Sequence, residues 1–312
     1  MNNKVKGYLL GAVAAASYGT NPLFALPLYA KGFSPDSVLF FRYLFALPIL
    51  AFMLKWRGHS FRISRADLVP LVILGLIFAL SSLSLFQSYN YMDAGIASTI
   101  LFVYPIMVAV IMAMFFHEKL TTQTMLCLLM AIGGIGLLYQ NEDGATLSFV
   151  GTMIVFLSSL SYAIYIVAIN KTRLHDMVTL KVTFYVVLFG WFLFAGRTLI
   201  SGELQVPQSN DWWLWGNLIA LAVMPTAISL LCTTGAIQYI GSTPTAILGA
   251  LEPVTAVFFG VTIFGEQLTM RSIIGLILII VAVTIVVAGG GITKHLVRFR
   301  KLFPRIIKKV KK

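Results

Sequence analysis

Long apolar stretches run along almost the whole of this 312-residue chain, and they restrict its fold more than any other feature. Nearly every stretch of about 20 residues is apolar enough to cross a hydrocarbon core of roughly 30 Å. Only 11% of the residues are charged, whereas about 25% are charged in soluble domains. The sequence therefore predicts an all-α membrane protein, because helices satisfy their own backbone hydrogen bonds in lipid.

Hydropathy and turn signals such as Ser34-Pro35-Asp36 predict ten transmembrane helices joined by short connections. The predicted spans cover residues 7–29, 36–55, 67–90, 94–116, 121–139, 147–170, 178–200, 212–238, 243–264 and 271–290. The first span is longer than the apolar core of a cleaved signal peptide, so we interpret it as a membrane helix. No connection is long enough to hold a soluble domain.

The basic residues predict how these spans are oriented. With the N-terminus placed in the cytoplasm, 19 of the 23 lysines and arginines are cytoplasmic, three are external and Arg42 lies within a span. This bias follows the positive-inside rule and places both termini in the cytoplasm. Because the net charge of +12 is spread over short connections and the tail 293–312, it does not indicate nucleic-acid binding. The tail is expected to lie in water or on anionic lipid.

The chain also contains an internal repeat with an offset of 148 residues. The string Phe-His-Glu-Lys-Leu-Thr at 116–121 matches Phe-Gly-Glu-Gln-Leu-Thr at 264–269, and Pro105 matches Pro253. The first parts of the two repeats align less well, near an offset of 144, where Tyr18 meets Tyr162. The predicted units are 1–142 and 143–292. Five spans in each unit would make the second copy inverted, an arrangement typical of alternating-access carriers.

These strings resemble the EamA-type transporters of the drug/metabolite transporter superfamily. The marks are Tyr104-Pro105 before His117-Glu118-Lys119-Leu120-Thr121, and Glu252-Pro253 before Gly265-Glu266-Gln267-Leu268-Thr269. The stretch from Tyr18 to Pro22 is similar to the first span of that family. Glycines in the two final spans of the repeats, including Gly134 and Gly275, are expected to permit close helix packing.

The resemblance implies a ten-helix secondary active transporter in the cytoplasmic membrane that moves small metabolites by alternating access. Amino acids or similar solutes are the expected substrates and export is the expected direction. A sugar-phosphate or nucleotide exchanger is the alternative within the superfamily, and a membrane enzyme is disfavoured because the sequence contains no GxSxG or HExxH motif. No cofactor, metal site or nucleic-acid partner is expected, and the sequence leaves both a monomer and a homodimer open.

Glu252 and Arg42 are the two charged side chains predicted to lie deep in the membrane. Glu252 lies about ten residues, or roughly 14 Å, into the ninth span. A carboxylate at that depth is costly and suits proton coupling, binding of a substrate amine, or a structural role beside Pro253. Arg42 is expected to bind a substrate carboxylate, to pair with Glu252, or to extend outward to the membrane surface.

Other polar and aromatic residues are candidates for the wall of a central cavity. Gln87 and Asn90 belong to a polar stripe in the third span whose serines are expected to pack against neighbouring helices. Asn21 precedes Pro22 in a predicted helix break, where its amide would satisfy a freed carbonyl or contact a ligand. The remaining candidates are the tyrosines Tyr18, Tyr104 and Tyr162, which line the cavity or simply pack as aromatic rings. Glu118 and Glu266 are expected to cap the helices that follow them.

Overall fold

In the computed structural model, all regular secondary structure in the described part of the chain is helical. The structure describes residues 3–116, 148–241, 251–271 and 273–282, together with the single residues 126, 129, 130, 133, 134, 137, 245, 248, 249 and 285. The described helices are α1 (Asn3–Tyr18), α2 (Asn21–Tyr29), α3 (Pro35–Trp56), α4 (Arg65–Ser88), α5 (Ala94–Leu101), α6 (Tyr104–Phe116), α7 (Phe149–Lys171), α8 (Thr179–Ser201), α9 (Trp212–Ala222), α10 (Ser229–Ile240), α11 (Leu251–Phe264) and α12 (Ile273–Ala282). A short 3₁₀ helix occupies Arg173–Asp176, and a π-helical turn, Val223–Ile228, joins α9 to α10.

Within the described residues, seven helical segments are long and apolar enough to span a membrane, and α11 and α12 are shorter apolar helices. The predicted all-α membrane fold is thus confirmed. Six residues of the predicted fifth span, 121–139, are described and all six are helical. The count of ten spans stays a prediction, and the tail 293–312 lies outside the described residues.

Local sequence signals fix several helix ends. Ser34 caps α3 by accepting a hydrogen bond from the Ser37 amide at 3.3 Å, with Pro35 in the first turn. Ser148 caps α7 in the same way through the Gly151 amide. Gly202 ends α8 in the left-handed conformation, with φ of 68°, which glycine adopts without strain.

Two of the predicted spans are interrupted. The first is broken at Gly19 and Thr20, just before Pro22 at the start of α2, so the predicted break at Asn21-Pro22 is confirmed. The fourth, predicted as one helix over 94–116, is divided at Phe102 and Val103, upstream of Pro105. Proline removes a backbone donor and opposes the helical conformation of the residue before it, which accounts for both positions.

The helices of the two repeats pack against each other in exchanged pairs. Helix α1 of the first repeat packs along α10 of the second. The equivalent pair with the repeats swapped, α7 and α4, packs in the same way. Helix α3 packs against α8, and α5 packs against α11; each of these pairs joins equivalent spans of the two repeats. This pattern is what a two-fold relation between the repeats requires, because the rotation exchanges the first two pairs and maps each of the last two pairs onto itself.

Close helix approach depends on small residues, as in other membrane helix bundles. A Cβ atom added to Gly75 would lie 2.9 Å from the Val186 carbonyl, and one added to Gly190 would lie 3.2 Å from the Gly75 carbonyl. A Cβ atom on Gly134 would lie 2.9 Å from the Gly275 carbonyl, so the packing role expected for these glycines is confirmed. Large apolar side chains cover the outer surface of the bundle, as contact with lipid requires.

Candidate functional site

A contact between two residues that occupy equivalent repeat positions lies at the centre of the bundle. Tyr104, at the start of α6, donates a hydrogen bond of 3.5 Å to Oε1 of Glu252, at the start of α11. Both side chains are buried. Oε2 of Glu252 has no hydrogen-bond partner in the described part of the chain. The carboxyl group therefore keeps one acceptor available at the point where the two repeats meet.

Tyr18 and Tyr162, also equivalent in the repeat, complete this centre. Their rings stack with centroids 5.9 Å apart and planes 6° from parallel, and Tyr162 meets Tyr104 edge-on at 4.7 Å. The two tyrosines thus pack on one another, and Tyr162 also lines a small cavity, so their role in binding a substrate stays a prediction. Next to them is a cavity of about 10 Å³, lined by Glu252 and by Thr233 among others, which is room for about one water molecule.

Arg42 lies wholly inside the protein and is held by the π-helical turn. Its Nε donates to Oγ1 of Thr226 at 2.5 Å, and Nη2 donates to the Pro225 carbonyl at 3.2 Å. The guanidinium carbon also lies 5.2 Å from the centre of the Phe86 ring. Because Pro225 lacks an N–H, the Leu221 carbonyl is free to accept a hydrogen bond of 2.8 Å from the Thr226 hydroxyl, whose oxygen in turn accepts from Arg42.

The geometry around Arg42 argues against two of its three predicted roles. Its side chain is 0% exposed, so it does not extend to the membrane surface. The ion pairs found among the described residues do not include Arg42, so it does not pair with Glu252 there. Instead, Tyr18 lies within electrostatic range of both charges. Because Nη1 has no hydrogen-bond partner in the described ranges, binding of a substrate carboxylate by Arg42 stays a prediction that the geometry permits.

The remaining polar candidates have different environments. Asn21 begins α2 and is 1% exposed, and neither its amide nitrogen nor its oxygen has a partner among the residues described. It therefore does not satisfy a carbonyl freed by Pro22. Gln87 is half-buried near the end of α4, and Asn90 is exposed in the turn that follows. Because Asn90 is exposed, the burial cost that made it a candidate does not apply.

The serines of α4 pack as expected. Ser81 and Ser158 each donate a hydrogen bond to the backbone carbonyl of the other, at 3.0 and 2.7 Å. The Ser82 hydroxyl contacts the Tyr43 hydroxyl at 2.9 Å. These bonds join α4 to α7 and α3, so the serines hold helices together.

A larger cavity of about 450 Å³ opens at the face that contains the N-terminal end of α1. We call it the vestibule. Basic side chains at its rim are Lys6, Arg57 and His59, and α10 contributes Leu231 and Cys232 to its wall. The next residue of α10, Thr233, lines the small central cavity. One helix thus connects the vestibule with the centre that contains Glu252.

Polar contacts between the repeats bridge the opposite face. Arg197 at the end of α8 forms two hydrogen bonds, of 2.6 and 3.0 Å, with the carboxylate of Asp36 at the start of α3. Nearby, the Ser37 hydroxyl accepts a hydrogen bond of 3.0 Å from the Gln205 amide. These contacts join the end of α8 and the loop that follows it to the N-terminus of α3.

Glu266 provides a second connection on this face. Its carboxylate accepts hydrogen bonds from the Ala94 and Gly95 amides at 3.1 and 3.3 Å, at the start of α5. Glu266 thus caps a helix of the other repeat, whereas the sequence predicted a cap on the helix that follows; Glu118 lies outside the described residues. Burial raises the pKa of the Glu266 carboxyl and the Asp93 carboxylate raises it further, while the Gly95 and Ala94 amides oppose the shift.

Comparison with known proteins now identifies the family. The model of the EamA-like transporter family matches residues 5–140 and again residues 149–288. The chain belongs to this family. The two matches follow the two repeats, so the EamA-like transporter has the two-repeat architecture of its family and is a multi-pass membrane protein.

Individual relatives agree with this assignment. An uncharacterized transporter of Archaeoglobus fulgidus is 29% identical over 256 residues, which cover 80% of this chain and 85% of the relative. The uncharacterized transporter YcbK of Bacillus subtilis is 24% identical over 275 residues, covering 86% and 87% of the two chains. A solved crystal structure is similar with a TM-score of 0.69 at 17% identity, covering 93% of this chain and 98% of that one, which supports the fold.

Three parts of this EamA-like transporter were not predicted from the sequence. The π-helical turn that holds Arg42 was missed, although Pro225 inside an apolar span is a visible signal for an irregular helix. The pair Asp36–Arg197 was missed because its members are 161 residues apart. The vestibule was missed because Lys6 of α1 and the basic residues after α3 are brought together only by the fold.

Proposed function

We propose that this protein is a secondary active transporter that exports small metabolites across the cytoplasmic membrane by alternating access. Amino acids or similar solutes are the substrates, and both termini lie in the cytoplasm. The observation that carries the proposal is the contact between Tyr104 and Glu252. It puts a buried carboxyl group where the two repeats meet, so a movement of one repeat against the other changes the surroundings of that group.

Two further observations support alternating access. The vestibule is open at one face of the bundle, while Asp36 and Arg197 bridge the other face. In addition, Arg42 and Glu252 each keep a polar atom that has no partner among the described residues. Charged groups inside membrane proteins usually lie on substrate or ion pathways. A solute with an acidic and a basic group would complement both.

The other functions fit less well. A phosphate group usually meets several cationic donors, whereas Arg42 is the only fully buried basic side chain in the described ranges. This disfavours a sugar-phosphate or nucleotide exchanger. The relatives are named as transporters, which disfavours a membrane enzyme.

Counterflow in proteoliposomes tests the proposal. The purified protein is reconstituted, loaded with one unlabelled metabolite from a panel, and offered the same labelled compound, with and without a pH gradient. We expect saturable, stereoselective accumulation for at least one small zwitterion. Flux that rises linearly with concentration and shows no competition would contradict a carrier and favour a channel.

A further inference from the structure

The vestibule is lined by basic side chains. Lys6, Arg57 and His59 line it, and no Asp or Glu is found among the described residues that line it. The Lys6 amino group donates a hydrogen bond of 2.9 Å to the Tyr239 hydroxyl and lies 4.8 Å from the centre of its ring. An ammonium group has three donors, so this contact leaves Lys6 able to bind an anion.

The inner wall of the vestibule is largely apolar. Leu10 of α1, Met53 of α3, and Ile228 and Leu231 near the start of α10 contribute to it. The volume of about 450 Å³ falls in the range of about 300–1,000 Å³ that is usual for pockets that bind small molecules. The shape and lining suit a ligand that has an apolar body and one negatively charged end.

We propose that the vestibule is a binding site for organic carboxylates, with Lys6 and Arg57 as the residues that select the negative charge. A cleft with one sign of charge and walls of low polarity concentrates ions of the opposite sign. The inference rests on the proposed function, since an exporter must take its substrate from the face where this cavity opens. To the proposed function it adds that the solute is negatively charged and that it first binds in the vestibule.

The positive-inside rule alone does not explain this arrangement. That rule requires basic residues on one side of the membrane and says nothing of their convergence on a cavity. Arg65 shows the difference, because it begins α4 in the same predicted cytoplasmic connection as Arg57, is exposed, and does not line the vestibule. It therefore provides a matched control for charge at the same face.

Three solutes of nearly the same shape but different charge show how much of the binding depends on the negative charge. They are benzoate, benzamide and benzylamine. Their binding to the full chain, purified in an uncharged detergent, is measured by NMR saturation transfer and titration. We expect benzoate to bind, and benzamide and benzylamine to bind at least threefold more weakly. Benzoate affinity should fall as salt is raised, because the rim charges are screened.

The variants Lys6→Gln and Arg57→Gln should each weaken benzoate binding about threefold to tenfold, as expected for one charge near water. Arg65→Gln should leave it unchanged. The elution volume and the helical circular dichroism of each variant are compared with those of the unmodified protein to check that it is folded. Because Lys6 and Arg57 are tested independently, the test stays decisive if one variant does not fold. Equal binding of the three solutes, or an equal loss in Arg65→Gln, would overturn the inference.

The outcome is separable from that of the proposed function. Saturable counterflow of neutral or cationic solutes only, with no benzoate binding, would leave the carrier intact and remove the carboxylate site. If benzoate binds and Arg57→Gln weakens that binding, but no solute shows counterflow, the carboxylate site is supported and the proposed transport function is contradicted.

Discussion

Glu252 and Arg42 are two buried charged side chains of opposite sign that do not form an ion pair. Tyr18 lies within range of both, and each side chain keeps one atom without a partner in the described part of the chain. Burying a charge is expensive unless it is compensated. Arg42 receives two acceptors and an aromatic ring, whereas Glu252 receives a hydrogen bond from Tyr104. The less compensated group, Glu252, is the better candidate to bind and release a proton or a substrate amine.

Replacing Glu252 with glutamine tests this role. Gln keeps the size of the side chain and an acceptor for the Tyr104 hydroxyl, but it cannot exchange a proton. We expect Glu252→Gln to fold and insert normally and to lose transport that depends on a pH gradient, by at least tenfold. The measurement is uptake into proteoliposomes with and without the gradient, at equal protein content.

Two further variants make the result specific. Glu203→Gln removes an exposed carboxylate from the loop after α8 and should transport normally. Tyr104→Phe removes the hydrogen bond to Glu252 but leaves the carboxyl group, so it should shift the pH dependence without abolishing coupling. Unchanged proton-dependent uptake in Glu252→Gln would assign Glu252 a structural role beside Pro253.

At the scale of helices, the cap that Glu266 places on α5 joins the two repeats. The pKa of this carboxyl is raised, first by burial and then by Asp93. The folded protein therefore holds the proton of Glu266 more tightly than the unfolded chain does. Its contribution to stability is complete below the ordinary pKa of glutamate, about 4.3, and is lost as the pH rises through the raised value.

Glutamine at this position should remove that pH dependence and keep one acceptor for the α5 amides. We expect the melting temperature of Glu266→Gln in detergent to change less between about pH 4 and pH 7 than that of the unmodified protein. Glu266→Ala should instead be destabilised across that range by about 1 kcal/mol, since the cap is lost. Thermal unfolding followed by circular dichroism measures both.

Asp93→Asn provides an independent check, because it removes the second cause of the raised pKa and leaves Glu266 in place. It should reduce the pH dependence partly. A pH profile for Glu266→Gln that superimposes on that of the unmodified protein would show that another group is responsible.

Apolar length and proline positions were enough to predict the membrane class and most of the spans, and the repeat string at 264–269 pointed to the family. The break before Pro22 was also predictable, because proline acts on its immediate neighbours. The break at Phe102 and the π-helical turn that holds Arg42 were missed, although Pro105 and Pro225 lie inside apolar spans and signal an irregular helix at each place. Side-chain partners distant in sequence, such as Asp36 and Arg197, cannot be deduced from local pattern.

At the scale of the whole molecule, the two repeats pack against each other between two faces, of which one is open and the other is bridged by polar contacts. One face contains the open vestibule, and the other is bridged by the ion pair of Asp36 and Arg197 and by the Glu266 cap. If the repeats rock against each other about the centre at Tyr104 and Glu252, opening the bridged face must separate Asp36 from Arg197. The same movement should narrow the vestibule.

Cys232 reports this movement, because it is half-buried in the vestibule wall. In a Cys127→Ser background it is the single cysteine of the chain. A membrane-impermeant thiol reagent should label it from the predicted cytoplasmic side, in inside-out vesicles, and much more slowly from the other side. The measurement is the rate of labelling, followed by a mass-tagging gel shift.

Weakening the opposite face should then slow the labelling of Cys232. An exposed ion pair contributes up to about 1 kcal/mol, so Asp36→Asn or Arg197→Gln should change the ratio of the two states by up to about fivefold. Arg271→Gln removes a basic residue from the same predicted external side and forms no ion pair among the described residues, so it should leave the rate unchanged. Faster labelling of Cys232 in Asp36→Asn, or labelling from the external side alone, would contradict the coupling of the two faces. Closure of the vestibule would then not depend on separation of Asp36 from Arg197.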